Sequence, residues 1–193
     1  IHLFDARDKF FTRQVKVFFG IVTNMLASTI LVCSEEAGRR IGLRKKVVFY
    51  PNAIAIKRFL FNSSARNRIR LDLGVKESDI IIGLTARLFY QKNQIFLINL
   101  LNILPDKFKL MLIGDGDDRE ILLEATKTLH LENRVFFMGA LSDVSLWYSA
   151  MDIFSMPSLY EGFGISLLEA QINGLPCLVS DVFPEEVIIL DTV

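Results

Sequence analysis

Two cysteines and two histidines are all that the 193 residues contain. Cys33 and Cys177 each sit in an apolar, strand-like run without metal-ligand spacing. Isolated thiols of this kind are expected to be buried and reduced, which argues against a disulfide framework and for a reducing, cytoplasmic compartment. His2 and His130 are far apart and have no partner at ligand spacing, so no metal site is expected from them. No apolar run free of charge reaches the roughly 18–20 residues that a membrane span needs. Asp5, Arg7 and Asp8 come too early for the apolar core of a signal peptide, and none is expected. Ile1 is not a start residue, so the sequence reads as a piece of something longer.

What is present is apolar: 51% of the residues are hydrophobic and 16 are Phe, enough to exclude a disordered chain. The net charge of zero hides an asymmetry. Residues 1–74 hold 14 Lys and Arg against 5 Asp and Glu, whereas residues 75–193 hold 8 against 17. Such a split points to two units with different partners. The basic stretch "RNRIRLDLG" reads either as a solvated linker or as a surface for an anionic partner.

Between about Phe4 and Leu26 the apolar residues Phe4, Phe11, Val15, Phe18 and Val22 recur at helical spacing, with Arg7, Lys9, Arg13 and Lys16 largely elsewhere around the helix. A basic amphipathic helix either packs on a sheet or lies on an anionic membrane. "TILVCS" and "KKVVFY" read as strands, and Pro51-Asn52 breaks the chain after them. A boundary is therefore expected there, separating residues 1–48 from 49–193. Beyond it strands and helices alternate. "DIIIGLTA", "FKLMLIG", "RVFFMG", "DIFSM" and "PCLVS" read as strands. "NQIFLINLLNIL", "REILLEATKTLH", a short "DVSLWYSA" capped by Asp143, and "ISLLEAQIN" ended by Gly174 read as helices. Ile121, Leu122, Ala125 and Leu129 would share one face of the second of these.

The strands are continuous apolar runs, as expected where helices cover both faces of a sheet. Alternation of strands and helices predicts an α/β fold with a parallel sheet. In such folds ligands lie beyond the carboxyl ends of the strands. After the first strand stands "ARLFYQKN", where Arg87 and Lys92 near a helix start suit a phosphate or diphosphate. After the second stands "GDGDD", where Gly114 and Gly116 allow a tight turn and the close approach of a ligand. After the third, Gly139 thins the wall. After the fourth stands "PSLYEGFGISLLEA". Its glycines let backbone N–H groups converge on one small volume, and Glu161 and Glu169, eight positions apart, can each accept from a vicinal diol. These residues predict an anion and polyol site; the alternative is a helix that merely has an acidic start.

The run "PSLYEGFGISLLEAQINGLPCLVSD" resembles the signature of retaining GT-B glycosyltransferases of family four. Pro-Ser, a Glu, seven residues, a second Glu, Gly-x-Pro and Ser-Asp follow in order. "PNAI", "ARLFYQKN", "LMLIGDG" and "VFFMG" resemble further elements of that family. The resemblance runs from about Thr29 to Asp181. It implies a GT-B Rossmann-like sheet with helices on both faces, truncated at both ends. On that reading residues 1–48 are the last helix and strand of an acceptor domain, and 49–193 are an incomplete nucleotide-sugar-binding domain.

The resemblance also implies residue roles. Arg87 and Lys92 hold the donor diphosphate and stabilise its growing charge, and Glu161 contacts the donor sugar. Backbone amides of Gly162, Phe163, Gly164, Ile165 and Ser166 bind sugar and phosphate. Glu169 binds the ribose diol, main chain near Phe137 meets the base, and Gly116 lies close to the nucleotide. No cofactor or metal is expected, Asp115, Asp117 and Asp118 being a polar turn; no nucleic-acid partner is expected either. Ala53 and Ala86 depart from the family, each replacing a Gly. The implied function is transfer of a hexose from a UDP-, GDP- or ADP-sugar to a glycan or lipid-linked acceptor with retention, in cell-surface polysaccharide synthesis. The enzyme would be cytoplasmic, with the basic helix suited to the anionic membrane face. This stretch alone is expected to be inactive and to expose a sheet edge. The alternatives are a nucleotide-sugar-binding module without turnover and another GT-B enzyme such as an epimerase.

Overall fold

The computed structural model describes residues 21–22, 25–32, 47–50 and 52–190. The chain divides into two units, Ile1–Asn52 and Ala53–Val193; the expected boundary lay between 48 and 49. In the first unit, β1 (Ile30–Val32) pairs in parallel with β2 (Val47–Phe49), and the Tyr50 amide extends the ladder to the Val32 carbonyl at 2.8 Å. Ile21, Val22, Met25 and Leu26 are helical. The rest of the expected basic helix, with Arg7, Lys9, Arg13 and Lys16, lies outside the described residues, as do His2, Cys33 and Pro51.

The second unit opens with α1 (Ile56–Phe59) and α2 (Ser63–Asp72). The sheet then follows as β3 (Ile80–Thr85), β4 (Phe108–Ile113), β5 (Val135–Gly139), β6 (Ile153–Met156) and β7 (Cys177–Val179), with α3 (Gln94–Ile103), α4 (Arg119–Thr128) and α5 (Ile165–Asn173) between strands. The five strands lie in the order β5-β4-β3-β6-β7, all parallel. Ile81 and Ile82 of β3 are both buried, as are the consecutive Leu110, Met111, Leu112 and Ile113 of β4. Because neighbouring strand residues face opposite sides, this burial means that both faces are covered. Leu97, Ile98 and Leu101 of α3 join the same core. β5 and β7 are the outer strands among the described residues, and Leu178 of β7 is largely exposed.

Three local expectations are corrected. The stretch "DVSLWYSA" is not a helix capped by Asp143. It forms a 3₁₀ turn over Trp147–Ala150, while Asp143 accepts from the Ser145 amide at 2.9 Å and pairs with Arg58. An Asp side chain bonding two residues on favours a local turn over helix initiation. On α4, Leu122 is buried and Ala125 and Leu129 are half-buried, but Ile121 is exposed. The buried stripe is therefore narrower than the apolar one.

The third correction concerns "RNRIRLDLG", which is neither a linker nor an anion-facing patch. It lies in α2, whose first turn is capped by Asn62 accepting from the Ala65 amide at 2.9 Å. Arg66 and Arg70, one turn apart, both reach Asp152. Arg66 Nη2 donates to Oδ1 at 2.6 Å and Arg70 Nη1 to Oδ2 at 2.9 Å. The Ile81 amide donates to the same Oδ2. Buried Arg70 also donates to the carbonyls of Ala150, Lys76 and Asp79. A buried cation persists because its donors are filled; here that ties α2 to the starts of β3 and β6. Arg70→Ala is expected to cost about 3–5 kcal/mol, since Asp152 loses a partner and three carbonyls lose a donor. Urea unfolding should show a lowered midpoint at constant slope; a loss under about 1 kcal/mol would contradict the network's importance.

Candidate functional site

From β3 the chain moves outward to β4 and β5, then returns so that β6 pairs on the other side of β3. The carboxyl ends of β3 and β6 therefore flank the point where the strand order reverses, the usual place for a ligand crevice in an open parallel sheet. Two loops meet there: 86–93 after β3 and 157–164 after β6. They are joined by backbone and amide groups. The Leu159 amide donates to Gln91 O at 2.8 Å, Gln91 Nε2 to Tyr160 O at 2.7 Å, and Asn93 Nδ2 to Pro157 O at 3.2 Å. Asn93 holds a left-handed conformation, φ 53°, that turns the chain from a 3₁₀ turn at Tyr90–Lys92 into α3. Asn tolerates this conformation better than most residues.

This seam brings together two of the expected site residues. Lys92 Nζ donates to Glu161 Oε1 at 2.5 Å, and Ser158 Oγ donates to the same oxygen at 2.8 Å. Glu161 and Ser158 are buried and the Lys92 side chain is mostly so. Ser180 Oγ fixes the Ser158 carbonyl in turn. Arg87 stands apart. Its Nη2 reaches both carboxylate oxygens of Asp117 at 3.1 Å, and its guanidinium lies 5.3 Å from the Phe89 ring centre. Both members of the Arg87–Asp117 pair are about two-thirds exposed. Such a pair is worth at most about 1 kcal/mol, so a phosphate can displace the carboxylate.

Gly114 and Gly116 are close to another backbone, but it is the chain's own. A Cβ on Gly114 would sit 2.0 Å from the Ala86 carbonyl oxygen, and one on Gly116 would sit 2.3 Å from that of Leu88. The glycines let the turn after β4 lie against the loop after β3. Asp115 accepts from the Gly116 amide and Asp117 holds Arg87. A Cβ on Gly139 would meet nothing within 4 Å, and Phe137 is half-buried on β5.

The loop 161–164 ends at Gly164, φ 89°, which begins α5 without a side-chain cap. The first helical bonds run from the Leu167 and Leu168 amides to the Gly164 carbonyl. The amides of Ile165 and Ser166 thus precede the helix's own ladder, at its positive end. Gly162 is exposed and Phe163 packs on the core. Glu169 lies just over one turn into α5 and is half-buried. Tyr148 Oη donates to Glu169 Oε2 at 2.5 Å. Burial raises the Glu169 pKa above its ordinary 4.5, against the lowering pull of the Tyr148 hydrogen bond and the Arg58 charge. Burial, and then the Glu169 charge, push the Tyr148 phenol well above its ordinary value. Burial alone pushes the free Cys177 thiol up to about 12, so it is an inert core group.

Ser158, Tyr148 and Asp117 were not singled out from sequence. Ser158 stands in the Pro-Ser that opens the signature, a signal that was available. A Tyr in an apolar run and an Asp in a polar turn carry none, because their partners lie 21 and 30 residues away.

Two outcomes follow. Gly164→Ala meets both a positive φ and the Phe183 ring, 2.5 Å from the added carbon, whereas Gly162→Ala meets nothing within 4 Å. The first is expected to destabilise the chain by about 1–3 kcal/mol and the second to be nearly neutral, as read by thermal unfolding; equal effects would refute the assignment. For Glu169 the folded-state pKa is raised. The stability linked to its protonation is therefore full below 4.5 and lost as pH rises through the folded value. Glu169→Gln should be more stable than the parent at neutral pH, with the gap closing below 4.5; denaturant midpoints against pH would show a constant gap if this is wrong.

A profile of the group 1 glycosyl transferases matches residues 65–193. The chain is 34% identical over 169 residues to EpsF of Bacillus subtilis, whose name assigns it provisionally to the glycosyltransferases; the match covers 83% of this chain and 44% of that protein. It is 27% identical over 168 residues to a UDP-Gal:alpha-D-GlcNAc-diphosphoundecaprenol alpha-1,3-galactosyltransferase of Escherichia coli, covering 80% of this chain and 43% of that one. HepE of Anabaena, solved with UDP-glucose, superposes with a TM-score of 0.83 at 26% identity over 92% of this chain and 51% of HepE. The chain thus spans about half the length of these relatives or less. With more than half of its residues inside the profile, and the same parallel sheet as its structural neighbours, the chain belongs to the group 1 glycosyl transferases and has their GT-B Rossmann-like fold.

Proposed function

We propose that this chain is the donor-binding part of a retaining hexosyltransferase that uses a nucleotide sugar and a glycan or lipid-linked acceptor. The observation that carries the reading is the Lys92–Glu161 pair at the reversal of strand order, beside the uncapped start of α5. In the free state each cation is held by a carboxylate, Lys92 by Glu161 and Arg87 by Asp117. On binding, Arg87 and Lys92 turn to the diphosphate, with the Ile165 and Ser166 amides meeting the same charge. When the bond from the anomeric carbon to the diphosphate oxygen breaks, that oxygen gains negative charge. Once turned to the diphosphate, these cations and the helix-end amides stabilise that charge as it grows and lower the barrier. Glu161, released from Lys92 but still held by Ser158, accepts from sugar hydroxyls, and Glu169 accepts from the ribose diol. Gly116 and main chain near Phe137 border the nucleotide. No metal or cofactor has a part in this scheme.

UDP-sugars are the first donors to test, because HepE was solved with UDP-glucose and the Escherichia coli relative is named for UDP-Gal. That name also contains a lipid diphosphate acceptor, and another relative is an alpha-monoglucosyldiacylglycerol synthase of Streptococcus pneumoniae. We therefore assign the protein to cell-surface glycan synthesis at the cytoplasmic face of the membrane. No described helix is long and apolar enough to cross it. Residues 1–48 hold 9 Lys and Arg against 4 Asp and Glu, an excess that suits contact with anionic lipid. We further assign residues 1–48 to the end of an acceptor domain and the rest to the donor domain.

Calorimetric titration of the intact protein with UDP, GDP and ADP tests the reading. One nucleotide is expected to bind clearly better than the others. Arg87→Ala and Glu169→Ala should each weaken it by about 1.5–3 kcal/mol, the net worth of a charged hydrogen bond. A folded protein that binds none of the three would overturn the proposal.

A further inference from the structure

Tyr148 is wholly buried in the 3₁₀ turn before β6. Its ring packs edge-on against Phe59 at 5.9 Å and tilted against Phe154 at 6.1 Å. A Phe would fill this apolar site equally well. What distinguishes Tyr is its hydroxyl, which a buried Tyr must place on a polar partner. That partner is Glu169 Oε2 on α5. Among the described residues no other hydrogen bond to Glu169 is formed, so a single donor fixes the carboxylate. One O–H on Oε2 selects a side-chain rotamer and leaves the lone pairs of Oε1 open. A carboxylate that must accept two vicinal hydroxyls at once needs such fixing, because a freely rotating one loses entropy on binding. The charge on Glu169 makes this hydrogen bond one of the strong ones.

We propose that Tyr148 is a positioning residue for nucleotide recognition, its buried hydroxyl holding the Glu169 carboxylate in the orientation that accepts the ribose diol. The inference rests on the reading of Glu169 as the ribose ligand. It adds that ribose selectivity depends on a core residue that never touches the nucleotide. Tyr148→Phe keeps the ring and removes only the positioning atom. Glu169 then keeps its charge but not its orientation, and the 2′-hydroxyl no longer gains a well-placed acceptor.

The test compares, in the intact protein, binding of the preferred nucleoside diphosphate among UDP, GDP and ADP with that of its 2′-deoxy counterpart. The parent is expected to favour the ribonucleotide by about tenfold, one well-formed hydrogen bond's worth. Glu169→Gln and Tyr148→Phe should each bring the ratio close to one, the ribonucleotide losing both hydroxyl contacts and the deoxynucleotide only that of its 3′-hydroxyl. Adding Tyr148→Phe to Glu169→Gln should change the ratio no further, because the two act as one unit. A merely structural Tyr148 would weaken both nucleotides alike and leave the ratio as in the parent. If Glu169→Gln abolishes the ratio and Tyr148→Phe preserves it, Tyr148 does not position Glu169 and the inference falls. If the parent itself shows no ratio, the ribose role of Glu169 fails and takes the inference with it. A Tyr148→Phe protein that does not fold also overturns it, since the hydroxyl would then serve the core.

Discussion

The pairing of β6 with the free side of β3 is the constraint on which the rest of the second unit depends. A chain that ran β3, β4, β5 and onward in one direction would keep the loops after β3 and β6 three strand positions apart, about 15 Å at the spacing of a sheet. The reversal sets them side by side. The Gln91–Leu159, Gln91–Tyr160 and Asn93–Pro157 hydrogen bonds then lock the seam, and Lys92 meets Glu161 across it. The Arg66–Asp152–Arg70 network guards the opposite end of the same two strands. It ties α2 to the amide of Ile81 at the start of β3 and to the residue just before β6. One strand junction is thus fixed at both ends, by a buried ionic network at the amino ends and by the site at the carboxyl ends.

The electrostatics of the site follow from that placement. In the free chain Lys92 and Glu161 neutralise one another across the seam, and Arg87 and Asp117 do so beside it. The two pairs differ in kind. Lys92–Glu161 is shielded and supported by Ser158, whereas Arg87–Asp117 is open to solvent and weak. A ligand carrying two phosphates and several hydroxyls would meet a graded set of partners, the exposed Arg yielding first. Glu169 is a third case, a carboxylate held against the cost of burial by one buried hydroxyl and the charge of Arg58.

Much of this was legible in the residues. Continuous apolar runs such as "IIIGL" and "LMLI" need covering on both faces, and the structure buries them on both. Arg87, Lys92 and Glu161 were singled out because they stand in the loops after strands of a parallel sheet, and Glu169 because it stands on the helix that follows. Errors arose where a residue's partner lay far along the chain. Gly114 and Gly116 were read only for a ligand's approach, but the backbone of residues 86 and 88, which a Cβ would meet, also requires glycine at both positions. The basic run at 66–70 looked solvated until Asp152, more than eighty residues on, supplied its counter-charge.

By itself, then, the sequence determined the five strands of the sheet, the three α-helices between them and their parallel pairing, because hydrophobic period, glycine position and charge are local properties. The tertiary structure alone decided the order of the strands. It also decided which carboxylate each cation faces, and that a core tyrosine stands behind Glu169. Those depend on which side of β3 the returning chain docks, a choice made by packing and hydrogen bonding between residues that no local pattern connects.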